Sequence, residues 1–252
     1  MTSETGFEIR ELRDPAEIAK GIALYQQVFG RPAQQCSVAH RLLAGLSRHG
    51  GFVLGASHGG TLIAVSYGFV GLPANESPYL YMQLIAVRAD HQGRGIGRAM
   101  MQRIAQVARQ HGLRWLRWAF DPLQVRNAHF YLDVIGARAK GFVANMYGTE
   151  GGSRAWSTHR VLAEWDLRSP LGVWRTPSAP PPIGTPQPDG RSVLLTVGAT
   201  GNRGFEPAAE AAAYRHLSRL MSEGYTLVSC RIVNSYAVAR LCPEWNSECL
   251  WA

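Results

Sequence analysis

The sequence predicts a mixed α/β fold, because two kinds of segment alternate along it. Short runs of β-branched and aromatic residues read as strands, and longer runs with apolar residues at helical spacing read as helices. The 252 residues are 46% hydrophobic and 17% charged, enough for one large domain or two small ones. The predicted order over residues 7–167 is β-α-α-β-β-β-α-β-α-β-β.

Helix caps and a turn organise the first part of the chain. Asp14 is expected to cap a helix that Gly30 ends, and Ser37 is expected to cap a second helix. His58-Gly59-Gly60-Thr61 separates two apolar strands and predicts a hairpin. These elements lead into a central strand.

The central stretch, Tyr79 to Gly112, reads as a buried strand, a glycine-rich turn and an amphipathic helix. The strand ends near Val87, and the turn is Q-G-R-G-I-G-R, residues 92–98. A helix N-terminus attracts phosphate through its unpaired N–H groups, and glycines let the backbone approach an anion closely. There is no G-x-x-x-x-G-K-S/T, and Arg98 stands where the dinucleotide fingerprint needs a glycine.

Residues 87–99, V-R-A-D-H-Q-G-R-G-I-G-R-A, contain Q-x-x-G-x-G directly after a strand. This resembles the pyrophosphate-binding signature of the GNAT superfamily of N-acyltransferases, which bind acetyl-CoA or another acyl-CoA. The resemblance covers roughly residues 7–167 and implies a GNAT-like acyl-CoA-binding core. It implies that the acyl-CoA is held by Ile85, Ala86, Val87, Gln92, Gly93, Arg94, Gly95, Ile96, Gly97 and Arg98.

The same resemblance implies roles in the helix after the fifth strand. An asparagine early in that helix lies close to the pantetheine arm, and Asn127 fits it. A tyrosine four residues before a glycine protonates the departing thiolate, but here Tyr131 stands five residues before Gly136. One position is about 100° on an α-helix. Tyr131 is therefore either the general acid or a packing residue.

The general base and the amine site are less clearly marked. Many members carry a glutamate on the central strand, where this chain has Tyr81 and Gln83 on one face with Ile85. Neither is an ordinary base at neutral pH, so they line the acceptor pocket or position a water. Asp121 either takes a proton, binds a cationic substrate or caps its turn. Tyr147 is a further candidate for the acceptor pocket.

A second resemblance points to a poorly characterised bacterial branch of predicted GNAT proteins. The strings that carry it are F-D-P-L at 120–123, R-N-A at 126–128 and N-M-Y-G at 145–148. The branch often has a histidine near the position of Gln83, and this chain departs from it there. It also carries a C-terminal α/β extension.

The sequence divides into a core at 1–168, a proline-rich linker at 169–190 and an extension at 191–252. The extension reads as a β-α-β unit, with strands near 193–197 and 225–233 around a helix at 206–223. Such a unit has too little core to be stable alone, so we expect it to dock on the core.

Composition limits the function classes. The net charge of +8 is almost all arginine, since only Lys20 and Lys140 are lysines. It suits the phosphates of CoA, and no basic run with interleaved aromatics indicates a nucleic-acid partner. The scattered cysteines predict free thiols and no metal site. With no apolar run near 20 residues and no secretory signal, we expect a cytoplasmic protein without a membrane partner.

The sequence therefore predicts an N-acyltransferase that moves an acetyl or longer acyl group from acyl-CoA to an amine. The acceptor would be a small molecule, an amino acid or a peptide, and transfer would be direct, without a metal. The alternative is a GNAT-shaped protein that binds acyl-CoA without turnover. Both a monomer and a homodimer are compatible with the sequence.

Overall fold

A computed structural model of the protein describes residues 6–30, 38–148, 158–168, 176–199 and 205–243. Its elements confirm the mixed α/β fold and the predicted order over residues 7–167, with mostly antiparallel strands. The chain divides into two compact units, Met1–Arg117 and Trp118–Ala252. The predicted cap Ser37 lies outside the described residues, as do Cys36 and Cys249.

The first unit alternates strands and helices around one sheet. Its strands run in the order β1-β2-β3-β4-β5, antiparallel except for the parallel pair β4–β5. The described elements are β1 (Glu8–Glu11), α1 (Pro15–Phe29), α2 (His40–Leu46), β2 (Gly51–His58), β3 (Thr61–Gly71), β4 (Tyr79–Val87), α3 (Ile96–Gln110) and the first half of β5 (Trp115–Phe120).

Helix α1 begins and ends where its capping residues predict. Oδ1 of Asp14 accepts hydrogen bonds from the backbone N–H groups of Ala16 at 2.7 Å and Glu17 at 3.3 Å. Gly30 ends the helix with a φ of 60°, the left-handed conformation that a glycine adopts without strain. The predicted hairpin is also confirmed, since Gly59 and Gly60 both have positive φ between β2 and β3.

Buried side chains hold α1, α2 and α3 on this sheet. Leu12, Ile18, Leu43 and Val53 form one buried cluster. Helix α3 buries the residues whose helical spacing predicted it: Ile96, Met100, Ile104, Val107 and Ala108. Truncating one such side chain to alanine costs about 2–5 kcal/mol of stability. The sheet and α3 therefore form a firm base for the loop between them.

The second unit contains the rest of β5, two helices and six further strands among its described residues. The described elements are α4 (Val125–His129) with a π-helical turn (Phe130–Val134), β6 (Arg138–Val143), β7 (Arg160–Asp166), β8 (Gln187–Asp189), β9 (Ser192–Ala199), α5 (Pro207–Ser222), β10 (Tyr225–Val233) and β11 (Tyr236–Pro243). The strands run in the order β7-β6-β10-β11-β9-β8, all antiparallel.

The C-terminal segment has two strands more than the β-α-β unit predicted from sequence. Strand β11 pairs between β10 and β9, and the short β8 pairs with β9. Asn234 and Ser235 have φ of 49° and 70° and form the β10–β11 turn. Strand β10 also pairs with β6 through Leu227 and Ala139, so the C-terminal strands continue the sheet of this unit. The domain boundaries drawn from the sequence stay a prediction.

Candidate functional site

Strand β4 is interrupted by a β-bulge at Gln83. In the ladder with β3, Met82 pairs with Gly68 and Leu84 pairs with Tyr67, so Gln83 is the extra residue. The sequence predicts that Tyr81, Gln83 and Ile85 share one face of β4, and the bulge changes this arrangement. Because side chains alternate along the paired positions, Ile85 lies on the face of Met82 and not with Tyr81.

The bulge coincides with the end of the pairing between β4 and β5. The parallel register joins Tyr79–Tyr81 to Trp115–Arg117 and, within the described residues, extends no further along β4. Beyond the bulge, Ile85, Ala86 and Val87 pair with β3 on the other edge. The strand end that the resemblance assigns to the acyl-CoA is therefore held by its pairing with β3.

The glycine-rich turn has the backbone that an anion site needs. Gly93 and Gly95 have φ of 77° and 79°, and a Cβ built on either would have no heavy atom within 4 Å. The space beside both residues is therefore open. The side chains of Arg94 and Arg98 are exposed, and neither forms an ion pair with another described residue. Both guanidinium groups are available to a phosphate.

Helix α3 begins at this turn. Gly95 is its N-cap, and the first intrahelical bond runs from the N–H of Ala99 to the carbonyl of Gly95 at 3.0 Å. The N–H groups of Ile96, Gly97 and Arg98 precede that bond and have no partner within the helix. Ile96 is buried and anchors the helix start. The first turn of α3 has no acidic residue. The helix dipole and the side chains of this turn therefore both favour a bound anion.

A short 3-10 turn, Ala89–His91, connects β4 to the glycines. Arg88 holds Asp90 through two hydrogen bonds, Nε to Oδ1 at 2.7 Å and Nη2 to Oδ2 at 3.0 Å. These bonds, and a smaller contribution from His91, hold the pKa of Asp90 well below its ordinary value. Gln92 donates from Nε2 to the carbonyl of Val87 at 3.0 Å. Gln92 thus braces the loop against the end of β4.

Aromatic side chains lie before the bulge. The rings of Tyr81 and Phe69 are 5.3 Å apart, and Phe69 is 38% exposed. The guanidinium of Arg117 lies 4.5 Å from the ring centre of Tyr79 and donates to Glu76 at 2.6 Å. This part of the first unit presents a partly exposed aromatic surface, and the role of Tyr81 in an acceptor pocket stays a prediction.

Asp121 follows the end of β5 in the second unit. Its Oδ1 accepts a hydrogen bond from the N–H of Leu123 at 2.9 Å, which is the turn cap considered from sequence. The same oxygen accepts from the hydroxyl of Tyr214 in α5 at 3.0 Å. His159 packs edge-on against Tyr214 at 4.7 Å, and Phe142 lies 5.6 Å from His159. Sequence reasoning missed Tyr214, His159 and Phe142, since they are remote from Asp121 in the chain.

Two other candidates in this unit are exposed. Asn127 lies in α4, and its side chain forms no hydrogen bond with another described residue. Tyr147 is 44% exposed, with its ring 5.3 Å from the guanidinium of Arg160. The backbone N–H of Tyr147 donates to Thr158, which fixes the N-M-Y-G turn. Both side chains are accessible to a ligand.

Tyr131 lies in the π-helical turn after α4 and is 7% exposed. Its ring is 5.1–5.3 Å from those of Trp118, Phe120 and Phe130. Burial raises the pKa of its hydroxyl, which stays protonated at neutral pH. The ring of Tyr131 therefore packs against other aromatic rings. Its hydroxyl carries the proton that a general acid would donate.

The π-helical turn explains the unusual spacing of Tyr131. The N–H of Ile135 donates to the carbonyl of Phe130 at 3.0 Å, five residues back rather than four. A π turn uses one residue more than an α turn. The step of five positions from Tyr131 to Gly136 therefore includes one residue more than the step of four in the pattern that the resemblance implies.

Among the described residues, no group of three or more histidine, cysteine, aspartate or glutamate side chains could hold a metal ion. In the same part of the chain, no helix combines the length and apolar character required to cross a membrane. Cys230 and Cys242 are buried, and burial raises the pKa of Cys230 to about 12.

Comparison with known proteins agrees with this geometry. Residues 18–136 match the sequence model of the acetyltransferase (GNAT) family. The strand, bulge, glycine turn and helix described above lie within the matched range. Residues 18–136 are thus similar in sequence to the GNAT acetyltransferase family.

Solved GNAT structures share the fold. An acetyltransferase of the GNAT family from Streptococcus pneumoniae aligns with a TM-score of 0.51 at 15% identity, over 64% of this chain and 99% of that one. The ribosomal-protein-S18-alanine N-acetyltransferase from Escherichia coli gives 0.51 at 13%, over 67% and 99%. An N-acetyltransferase from Staphylococcus aureus Mu50 gives 0.50 at 17%, over 65% and 99%. These identities show the fold alone.

No curated protein matches the sequence at a significant level. The narrower resemblance to a bacterial branch with a C-terminal extension stays a prediction.

Proposed function

We propose that this protein is an acyl-CoA-dependent N-acyltransferase that acetylates, or acylates with a longer chain, the amine of a small molecule, amino acid or peptide. The glycine turn at the start of α3 carries this proposal. Its two left-handed glycines open onto unoccupied space, and three helix N–H groups precede the first intrahelical bond. Arg94 and Arg98 add positive charge beside them. A pyrophosphate suits this arrangement.

The transfer itself requires three things of the protein. The thioester carbonyl must be polarised, the amine must arrive neutral, and the departing thiolate must gain a proton. For the first we propose the backbone N–H groups of Ile85–Val87, beyond the bulge in β4. The amine nitrogen then bonds to the acyl carbon and loses one proton to solvent, the carbon–sulfur bond breaks, and the sulfur takes a proton. No nucleophilic side chain takes part.

We propose Tyr131 as the donor of that proton and Asn127 as a contact of the pantetheine arm, as the family resemblance implies. Tyr131 is protonated at neutral pH, as an ordinary tyrosine is, and burial raises its pKa further. Asn127 is exposed on α4, and its side chain forms no hydrogen bond with another described residue. Both roles are testable by single substitutions.

For the acceptor we propose Asp121 as the partner of a cationic amine, with Gln83, Tyr81 and Tyr147 as further contacts. The carboxylate of Asp121 draws the ammonium form, and loss of one proton to that carboxylate or to water yields the nucleophile. Tyr81 and Tyr147 are partly exposed aromatic residues that suit an acceptor with an apolar part. Gln83, at the bulge, would position a water or the amine.

A second candidate function is binding of acyl-CoA without turnover. One observation favours it: β4 presents Gln83 and Tyr81 where many GNAT enzymes have a glutamate, so the strand holds no ordinary base. The glycine-rich turn would then hold acyl-CoA so that the protein senses or carries it.

Release of free CoA thiol separates the two functions. Purified protein is mixed with acetyl-CoA and each of a panel of amines: polyamines, amino acids, aminoglycosides and peptides with free N-termini. Thiol release that depends on one amine supports the transferase, and omission of that amine gives the background hydrolysis rate. Calorimetric binding of CoA with no amine-dependent release would favour the binding protein. No binding of CoA would overturn both.

Acyl-CoA substrates of increasing length, tested with the best amine, then define the acyl group. We also propose a cytoplasmic, bacterial setting without nucleic-acid or membrane partners. Sedimentation of the purified protein would distinguish a monomer from a homodimer.

A further inference from the structure

The carboxylate of Asp133 is one of the most buried charged groups in the second unit. It lies in the π-helical turn, and its side chain is only 3% exposed. Oδ1 accepts hydrogen bonds from Ser229 Oγ at 2.7 Å and Arg231 Nε at 2.9 Å, and Oδ2 accepts from the N–H of Cys230 at 2.8 Å. Three consecutive residues of β10 therefore bind one carboxylate.

The turn of Asp133 is held to β10 at a second point. Nδ1 of His129 donates to the carbonyl of Cys230 at 3.0 Å and lies 3.4 Å from Asp133. Arg231 in turn donates from Nη1 to Thr176 at 2.7 Å, so its guanidinium is fixed on both sides. Because a buried charge needs several partners, this arrangement tolerates little movement.

Other C-terminal residues contact the start of the same segment. A Cβ at Gly198 in β9 would lie 2.8 Å from Val125, so β9 packs tightly on the first residue of α4. Tyr214 of α5 bonds to Asp121 just before it. The C-terminal strands and α5 thus hold residues 121–133 at both ends, and Asn127 and Tyr131 lie between these contacts.

We propose that Asp133 is a positioning residue: its bonds to β10 hold the π-helical turn and thereby set the orientation of Tyr131. The inference rests on the proposed transferase function, in which Tyr131 protonates the thiolate. It gives the C-terminal segment a role in the reaction, since β10 supplies all three donors. Asp133 itself touches neither substrate nor the reacting atoms.

The test compares Asp133→Asn with two other variants. Ser229→Ala removes one of the three donors, and Asp189→Asn serves as a matched control. Asp189 pairs with the buried Arg240 at 2.7 Å and forms no hydrogen bond or ion pair with the described residues 121–135. We expect Asp133→Asn to lower kcat by about 100-fold, because small misplacements of a reacting group are that costly. Ser229→Ala should lower it a few-fold, and Asp189→Asn should leave it unchanged.

Two readouts separate positioning from general destabilisation. In a Tyr131→Phe background, Asp133→Asn should cost almost nothing further in kcat, because it acts through the hydroxyl that is already gone. Hydrogen exchange should become faster at residues 125–135 in Asp133→Asn but not in Asp189→Asn. Ser229→Ala keeps the test decisive if Asp133→Asn does not fold.

The failures are distinguishable. If the wild-type protein releases no CoA thiol with any amine, the proposed function fails, whatever the exchange data show. If the wild type is active and both Asp133→Asn and Ser229→Ala retain its kcat, the positioning role is overturned. Full additivity of Asp133→Asn and Tyr131→Phe would also overturn it.

Discussion

The hydroxyl of Tyr214 donates a hydrogen bond to Oδ1 of Asp121 across 3.0 Å and joins α5 to the turn after β5. The N–H of Leu123 donates to the same oxygen at 2.9 Å. Among the described residues, none donates a hydrogen bond to the other oxygen, Oδ2. Asp121 is therefore fixed by one oxygen and can offer the second to a substrate cation.

Replacing Tyr214 by phenylalanine should weaken both the fold and amine binding. A hydrogen bond to a charged group contributes about 1.5–3 kcal/mol, and partial exposure brings the expected loss of stability to about 1 kcal/mol. The carboxylate of Asp121 would gain freedom, so the KM for the amine should rise a few-fold. Urea unfolding and initial rates at varied amine concentration measure the two effects.

Tyr225→Phe is the matched control for that substitution. Tyr225 lies at the start of β10, and its hydroxyl has no partner among the described residues. Its loss should leave both stability and the KM for the amine unchanged. An unaltered amine KM in Tyr214→Phe, with the stability loss present, would confine the Tyr214–Asp121 bond to a structural role.

Gly95→Glu should abolish CoA binding. The backbone at Gly95 is left-handed, which costs another residue about 1–2 kcal/mol, and a carboxylate there would repel the pyrophosphate. Gly112→Glu is its control, because Gly112 also has a positive φ, 70°, and open space around its Cβ position, at the opposite end of α3. Both variants should lose similar stability. Calorimetry should detect CoA binding in Gly112→Glu alone.

Equal loss of CoA affinity in the two variants would contradict the assignment of the anion site to the start of α3. Undiminished CoA affinity in Gly95→Glu would contradict it more directly.

Local signals in the sequence predict the elements of the first unit well. Asp14 and Gly30 mark the ends of α1, and the glycine-rich turn marks the start of α3. Strand β4 has the predicted bounds, Tyr79–Val87. These features depend on neighbours a few residues away, so composition and spacing suffice to find them.

Features that depend on remote partners could not be predicted in this way. The bulge at Gln83 is defined by its register against β3, and the Tyr214–Asp121 bond joins residues 93 positions apart. Asp133 in the π-helical turn accepts hydrogen bonds from three residues of β10 that lie 96–98 positions away in the chain. Strand β11 is different, because Asn234-Ser235 between two apolar segments is a local hairpin signal.

The turn before the glycines should weaken at acid pH. Two bonds from Arg88, and to a smaller extent His91, lower the pKa of Asp90 from an ordinary value of 3.8. A carboxyl whose pKa is lowered in the folded state stabilises it fully above about pH 4, and the contribution fades as pH falls toward the folded-state value. The effect should be small because Asp90 is exposed.

Unfolding free energies of the wild type and Asp90→Asn, measured from pH 6 to pH 2, check this prediction. The wild type should be the more stable near pH 6, and the two curves should converge below pH 4. Parallel curves across the whole range would show that the Arg88–Asp90 pair contributes nothing to stability.

Tyr131→Phe should separate catalysis from packing at the most buried of the candidate catalytic residues. Phenylalanine retains the ring that lies against Trp118, Phe120 and Phe130, so stability should change by less than about 1 kcal/mol. Loss of the hydroxyl removes the proposed proton donor. A positioned acid contributes about 10²–10⁴-fold, so kcat should fall by at least about 100-fold while the KM for acyl-CoA stays the same.

Phe120→Leu provides the opposite control, since it disturbs the ring cluster but removes no hydroxyl. It should lower the unfolding free energy, and it should lower kcat less than Tyr131→Phe does, because the hydroxyl of Tyr131 remains. If instead Tyr131→Phe keeps full kcat, the ring acts in packing alone. A water molecule would then have to protonate the thiolate, and the π-helical turn would serve the core rather than the reaction.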